Sequence, residues 1–143
     1  MNKTAYAAPC GLDCFHCEYF EKNISEETIK MLIKHLGMKR SETPCKGCRF
    51  ENGCKYFDNK CETQDCVRSK KLQFCFECNE FPCRLLQPCS DGAEKYSHNM
   101  KVYNLCRMKS VGVQKWAEEE ALEIRKRYFK GKFVSGAGTI LPE

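Results

Sequence analysis

The sequence predicts a small, metal-stabilised, α-rich (α+β) domain with an irregular cysteine-rich N-terminal part and a helical C-terminal part. The chain has 13 cysteines in 143 residues, and most of them have the close spacings of metal ligands. Leu, Ile and Val are sparse before residue 90 outside one helical segment, whereas two segments after residue 90 have helical apolar spacing. We therefore expect a single domain over residues 1–143, with a cysteine-rich part over 1–90, a helical part over 91–130 and a tail over 131–143.

Twelve cysteines are candidate metal ligands. They are Cys10, Cys14, Cys17, Cys45, Cys48, Cys54, Cys61, Cys66, Cys75, Cys78, Cys83 and Cys89. Several form Cys-x2-Cys knuckles, in which a tight turn lets two thiolates reach one ion. Twelve thiolates suffice for three tetrahedral sites, but two sites with spare thiols, or a cluster with bridging sulfurs, fit the count equally well. Cys106 stands apart, and we expect it to be free.

Histidines could complete a site that lacks one thiolate. The three candidates are His16, His35 and His98. His16 ranks first because it lies inside a knuckle. We expect two or three zinc ions, with an iron–sulfur cluster as the alternative, because thiolates suit both. Cys10-x3-Cys14-x2-Cys17 has the spacing of radical S-adenosylmethionine enzymes, but that class leaves ten other cysteines unexplained in a chain too short for its barrel.

A disulfide framework is the weaker explanation of the cysteines. The first nine residues contain no continuous apolar stretch of the length that a signal peptide needs, so we expect a cytoplasmic protein. An odd number of cysteines also fits complete pairing badly. No apolar run approaches 18 residues, so we expect no membrane span.

The formal net charge of +5 is a weak argument for nucleic acid. Ligating thiols must lose their protons, so twelve thiolates with three Zn²⁺ would lower the charge by about six, to about −1. The basic residues are also dispersed along the chain. Nucleic-acid binding stays possible, and an unknown protein partner is the first expectation.

The clearest predicted helix begins after Ser25, which is a candidate N-cap. Gly37 is the predicted stop. Its apolar stripe is expected to face the core and consists of Ile29, Leu32, Ile33 and Leu36. Residues 41–89 are expected to form irregular loops with short helical turns or ribbon strands.

Two more helices are predicted after the cysteine-rich part. The first covers 91–111 from near Asp91, with Tyr96, Met100 and Tyr103 on one face. Gly112 separates it from the second, which runs from Val113 to about Lys130 and should pack against the first helix of the chain. Its apolar side consists of Ala117, Ala121, Ile124 and Tyr128, with Trp116 beside them. The tail is compatible with a small hairpin.

The ordered motifs resemble a known family. They are Cys10-Gly11-Leu12-Asp13-Cys14 with Cys17, Cys45-Lys46-Gly47-Cys48-Arg49, Cys61-x4-Cys66, and Cys75-Phe76-Glu77-Cys78-Asn79-Glu80-Phe81-Pro82-Cys83. Together they resemble the cysteine-rich family catalogued as domain of unknown function 3795, over roughly residues 8–116. The resemblance implies a prokaryotic, soluble, metal-binding protein without an established activity. It also implies that Cys54, Cys89 and Cys106 are weaker ligand candidates than the other ten.

The functional prediction is a structural-zinc interaction module, with an iron–sulfur redox or electron-transfer protein as the alternative. No catalytic constellation, phosphate-binding loop or dinucleotide fingerprint is visible. Structural zinc contributes about 10 kcal/mol or more in small fingers, against a net stability of about 5–15 kcal/mol for ordinary domains. We expect Gly11 and Gly47 to supply tight turns and Pro82 to fix the approach of Cys83.

Overall fold

The computed structural model describes residues 2–56, 60–95 and 99–142, and helices predominate in it. The helices are α1 (Glu26–Leu36), α2 (Cys48–Glu51), α3 (Glu62–Ser69), α4 (Asn99–Val111), α5 (Val113–Lys115) and α6 (Ala121–Lys130), with a π-helical turn at Trp116–Glu120 between the last two. Two strands, β1 (Lys132–Val134) and β2 (Gly138–Ile140), form one small sheet. The predicted helix-rich class with a minor β component is confirmed.

Helix α1 has the predicted boundaries. The side chain of Ser25 accepts a hydrogen bond from the Thr28 N–H at 3.1 Å, and Gly37 ends the helix in the left-handed region at φ 64°. The predicted burial of its apolar stripe is correct for two of the four residues. Ile29 and Leu32 are buried, but Ile33 is 38% exposed and Leu36 is 52% exposed. The apolar face of α1 is therefore wider than the surface that covers it.

The cysteine-rich stretch consists of turns and short helices. Helices α2 and α3 lie in it, together with 3₁₀ turns at Arg40–Glu42, Cys75–Glu77 and Arg84–Leu86. The described residues of this stretch contain no ribbon strand. Phe20 and Cys45 form an isolated parallel bridge instead. The predicted short helical turns are confirmed. Helix α3 is longer than such a turn. Its length was not predicted, because it buries only Gln64 and Val67 and has no long apolar stripe.

Helix α4 begins later than predicted. Residues 91–95 form turns, so the helix does not begin near Asp91, and its described part runs from Asn99. Tyr96 and His98, which the sequence analysis singled out, lie outside the described residues. The predicted shared face is also incorrect in part, because Met100 is buried whereas Tyr103 is exposed.

The last helical region and the hairpin follow the predicted order. Gly112 interrupts the helices with φ 89°, a conformation in which a side chain is unfavourable. The hairpin is antiparallel, with Lys132 opposite Ile140 and Val134 opposite Gly138. The apolar side of the last helix packs differently from the prediction, because the main core contains no residue of α1.

One apolar core takes residues from both the cysteine-rich and the helical part. Its buried members are Ala7, Phe15, Val67, Phe74, Cys75, Leu86, Leu105, Met108, Trp116, Ala117 and Ala121. The cysteine-rich part thus packs directly on the helices. None of the helices in the described ranges combines the length and the apolarity that crossing a membrane requires.

Candidate metal centre

Four cysteines line a small cavity beside helix α3. Cys66 lies on that helix, and the other three come from the segment that follows it, Cys75, Cys78 and Cys83. The cavity has a volume of about 20 Å³, and a space of about 10–15 Å³ already holds one water molecule. The cavity is therefore large enough for one water-sized occupant. We call this group the tetrad.

Local hydrogen bonds explain why the segment 73–83 curls around this cavity. The Glu77 carboxylate accepts from the Gln73 N–H at 2.8 Å and the Phe74 N–H at 3.3 Å, which closes the turn around Cys75. The Phe81 N–H donates to the Cys78 carbonyl at 3.1 Å, and the Phe81–Pro82 peptide bond is cis. The hydrogen bonds hold the turns that place three thiols from a single short segment around one space.

The tetrad lies next to a positive charge. Lys70 Nζ is 3.3 Å from Cys78 Sγ and 2.5 Å from Glu80 Oε2. Burial, together with the nearby thiols, raises the pKa of Cys75 to about 12. An ion bound here would have to displace that proton.

A second group contains seven cysteines from four separate segments. We call it the heptad; its members are Cys10, Cys14, Cys17, Cys45, Cys48, Cys54 and Cys61. Four of them, Cys10, Cys48, Cys54 and Cys61, line a larger cavity of about 340 Å³ together with Lys101 and Gln64. Cys17 and Cys45 each lie close enough to Cys14 for a negative charge on its sulfur to raise their pKa. The two parts of the heptad meet at Cys14 and Cys48.

Several heptad sulfurs accept hydrogen bonds from the backbone two residues later. The Gly47 N–H lies 3.3 Å from Cys45 Sγ. The same contact joins Leu12 to Cys10, Tyr19 to Cys17 and Tyr56 to Cys54. Burial raises the pKa of all four thiols, that of Cys45 to about 11, and these N–H donors oppose the rise. The turns thus present donors that stabilise a thiolate once its proton is lost.

Cys14 and Cys48 are hydrogen-bonded to each other through their thiols. The bond from Cys48 lowers the pKa of Cys14, and the backbone N–H of Cys48 acts in the same direction. The pKa of Cys48, the donor, is raised by that bond and by burial. Cys48 is the first residue of α2, so this short helix sets the position of its thiol.

Buried polar contacts hold the first cysteine loop against the helices. Asn104 Nδ2 donates to the Gly11 carbonyl at 2.7 Å, and Arg125 Nη1 donates to Asp13 Oδ1 at 2.9 Å. Asp13 is buried, and its other oxygen contacts His16 Nδ1 at 3.2 Å. Sequence reasoning missed these supporting residues. The only signal was an acidic residue inside the Cys10-x3-Cys14 motif.

The structure does not gather every predicted ligand. Cys89 and Cys106 are exposed and line neither cavity. His35 is exposed on α1, and His98 is outside the described residues. Within residues 2–56, 60–95 and 99–142, no three His, Cys, Asp or Glu side chains already have the geometry that holds a metal ion. The thiols are grouped around cavities, but their sulfurs have not converged on a common point.

A family model described as a protein of unknown function, DUF3795, matches residues 6–88. The match covers the segments that carry both groups of cysteines and stops short of residue 116, where the sequence resemblance was expected to end. Neither the curated proteins nor the solved structures gave a match to this chain.

Proposed function

This chain belongs to the DUF3795 family, and from that premise we propose that it is a metal-binding protein whose cysteines hold structural zinc and whose surface binds another protein. The tetrad is the observation that supports this most strongly. Closed zinc sites with four thiolates are structural, because no coordination position remains for a substrate or a water molecule. Catalysis has no part in the proposal.

Zinc binding requires the tetrad sulfurs to move toward one centre. Zn–S bonds are about 2.3 Å long, and rotation of a cysteine between staggered χ1 rotamers moves its sulfur by roughly 3 Å. A cavity of about 20 Å³ between the four side chains leaves room for one ion after such rotations. The backbone fold can therefore stay as it is while the sulfurs close in.

Metal identity is the first point to test. Purification without oxygen, followed by elemental analysis and an absorption spectrum, distinguishes zinc from the iron–sulfur alternative. Zinc has no visible absorption, whereas thiolate-bound iron–sulfur clusters absorb broadly in the visible and contain acid-labile sulfide. We expect zinc and no sulfide.

Serine variants of the tetrad test the site itself. Cys66→Ser and Cys83→Ser should each lower the zinc content by about one ion per chain, because a hydroxyl replaces one of four thiolate ligands. Cys89→Ser is the matched control, since Cys89 is exposed and lines neither cavity. Elemental analysis of the purified variants, with far-ultraviolet circular dichroism to check folding, measures the difference.

Two results would contradict the proposal. The first is a folded, fully reduced wild-type protein that contains no transition metal in stoichiometric amount. The second is a pair of folded tetrad variants that retain the same zinc content as the Cys89→Ser control.

A further inference from the structure

An open cleft lies between α4, α6 and the C-terminal hairpin. Its volume is about 710 Å³, within the range of about 300–1,000 Å³ that is usual for small-molecule sites. The turn at residues 93–95 lines it as well, and no cysteine is among the described residues that line it. We call it the hairpin cleft, and it is separate from the tetrad and the heptad.

Three aromatic side chains from three different elements line the hairpin cleft. They are Tyr103 on α4, Tyr128 on α6 and Phe133 on β1. Tyr103 is 56% exposed and Phe133 is 78% exposed, so much of the surface of both rings is available to a ligand. A planar aromatic ring is the ligand group that suits such a lining, because stacked and edge-to-face contacts add to the burial of apolar area.

Charged side chains line the same cleft. Lys95 and Arg127 are the cations, and Glu94 is the carboxylate among them. Arg127 Nη1 donates to the Thr139 carbonyl at 3.0 Å, and its Nε lies 3.8 Å from Glu123 Oε1. These contacts hold the guanidinium beside the hairpin, and a guanidinium held in place is well suited to bind a carboxylate or phosphate.

The surrounding chain is basic as well. Residues 124–142, which include most of α6 and the whole hairpin, contain five basic residues and no acidic one. Arg125 is already paired with a buried carboxylate, but Lys130 and Lys132 are exposed on either side of Gly131, which lines the cleft. A local excess of positive charge attracts anionic ligands.

We propose that the hairpin cleft binds a small molecule in which a planar aromatic ring is joined to an oxyanion. The ring lies between Tyr103 and Phe133, and the oxyanion binds Lys95 and Arg127. Glu94 accepts a hydrogen bond from an N–H or O–H group of the same ligand. Nucleotides and amino-substituted aromatic carboxylates share this chemistry. The inference goes beyond the proposed function, since it does not depend on a metal.

Calorimetric titration of the full chain distinguishes the two sources of this chemistry. The probes are adenosine monophosphate and para-aminobenzoate, and each is compared with a neutral counterpart that lacks the oxyanion, adenosine or aniline. We expect saturable binding of one of the two anions or of both. The neutral counterpart should bind at least about tenfold more weakly, because the charge-assisted hydrogen bonds are lost.

Nuclear magnetic resonance of the wild-type protein locates the bound probe. Titration should move the backbone amide signals of Lys95, Tyr103 and Phe133 and leave those of the tetrad in place. This measurement needs no substitution, so it decides the location even if a variant fails to fold.

Two variants test the two halves of the site. Arg127→Gln and Tyr103→Ala should each weaken binding of the anion by about tenfold, through loss of the charge and of the stacking surface. Lys126→Gln and Leu122→Ala are the matched controls, because these exposed residues of α6 do not line the cleft. Both controls should keep the wild-type affinity, and circular dichroism checks that all four variants fold.

Three results would overturn the inference. They are failure of both anions to bind at millimolar concentration, equal affinity for an anion and its neutral counterpart, and signal changes confined to residues outside the cleft. Each of them leaves the proposed function standing, because the metal content is measured independently. Absence of zinc would in turn refute the proposed function and leave the hairpin cleft to be judged by these titrations.

Discussion

Gly11 shows how a single residue controls the approach of a helix to the cysteine loop. It has φ +92°, and an added Cβ would lie 2.6 Å from the Lys101 carbonyl oxygen and 3.0 Å from Leu105 Cγ. The Gly11 carbonyl also accepts the hydrogen bond from Asn104. Helix α4 therefore rests on the backbone of the first knuckle, and no side chain fits between them.

Replacing this glycine should destabilise the protein strongly. Gly11→Ala combines a left-handed backbone with a steric clash, and we expect it to lower the free energy of unfolding by roughly 3 kcal/mol. Gly37→Ala is the matched control, with φ +64° and no atom within 4 Å of the new methyl group, and should cost about 1 kcal/mol. Urea unfolding of the zinc-loaded proteins measures both. Equal losses would mean that the close approach to α4 contributes nothing.

Helix α1 is the element whose surroundings differ most from expectation. Its N-cap and its glycine stop are local features, and both occur as predicted. Its apolar stripe is covered over Ile29 and Leu32 and open over Ile33 and Leu36. Exposed apolar side chains of this kind, in ones and twos, are normal on protein surfaces.

Substitution along this stripe should follow burial. Leu36→Ser should change the free energy of unfolding by no more than about 0.5 kcal/mol, since the residue is exposed. Leu32→Ala should lower it by about 2–5 kcal/mol, because Leu32 is buried. Urea unfolding measures both, and equal losses would mean that the buried half of the stripe contributes nothing.

At the scale of the whole molecule, the cysteine-rich part and the helical part share one core. Phe15 and Phe74 come from the cysteine-rich part, and Leu105, Met108 and Trp116 come from the helices. Trp116 is completely buried, and it contacts Phe15 at a ring-centroid distance of 6.0 Å. We therefore expect a loss of order around the cysteines to destabilise the helices as well. This differs from a metal-bound part that folds and unfolds by itself.

Chelation provides the test, with Trp116 as the probe. Trp116 is the sole tryptophan, so its fluorescence reports on the shared core alone. Removal of zinc by a strong chelator under reducing conditions should shift the emission to longer wavelength as water reaches the ring, because structural zinc contributes free energy of folding. Adding zinc back should reverse the shift. An unchanged emission spectrum after complete zinc loss would mean that the core does not depend on the metal.

The sequence by itself determined the local structure of this protein. Ser25 and Gly37 set the limits of α1, and Gly112 separates α4 from α5, because caps and positive φ angles depend on adjacent residues. The Cys-Lys-Gly-Cys knuckle at 45–48 is a local feature in the same sense, because its N–H···S contact joins residues two positions apart. The family was also recognisable from its ordered motifs.

Only the tertiary structure decided which cysteines lie together. Nothing in the spacing assigns Cys66 to the segment 75–83, Cys48 to the cavity of Cys10, Cys54 and Cys61, or Cys89 to neither group. These groupings depend on how distant loops pack on α4 and α6, through bonds such as Asn104 to Gly11 across 93 positions of sequence. A thiol pattern reveals how many ligands are present, but the distances between loops are set by the packing of the whole chain.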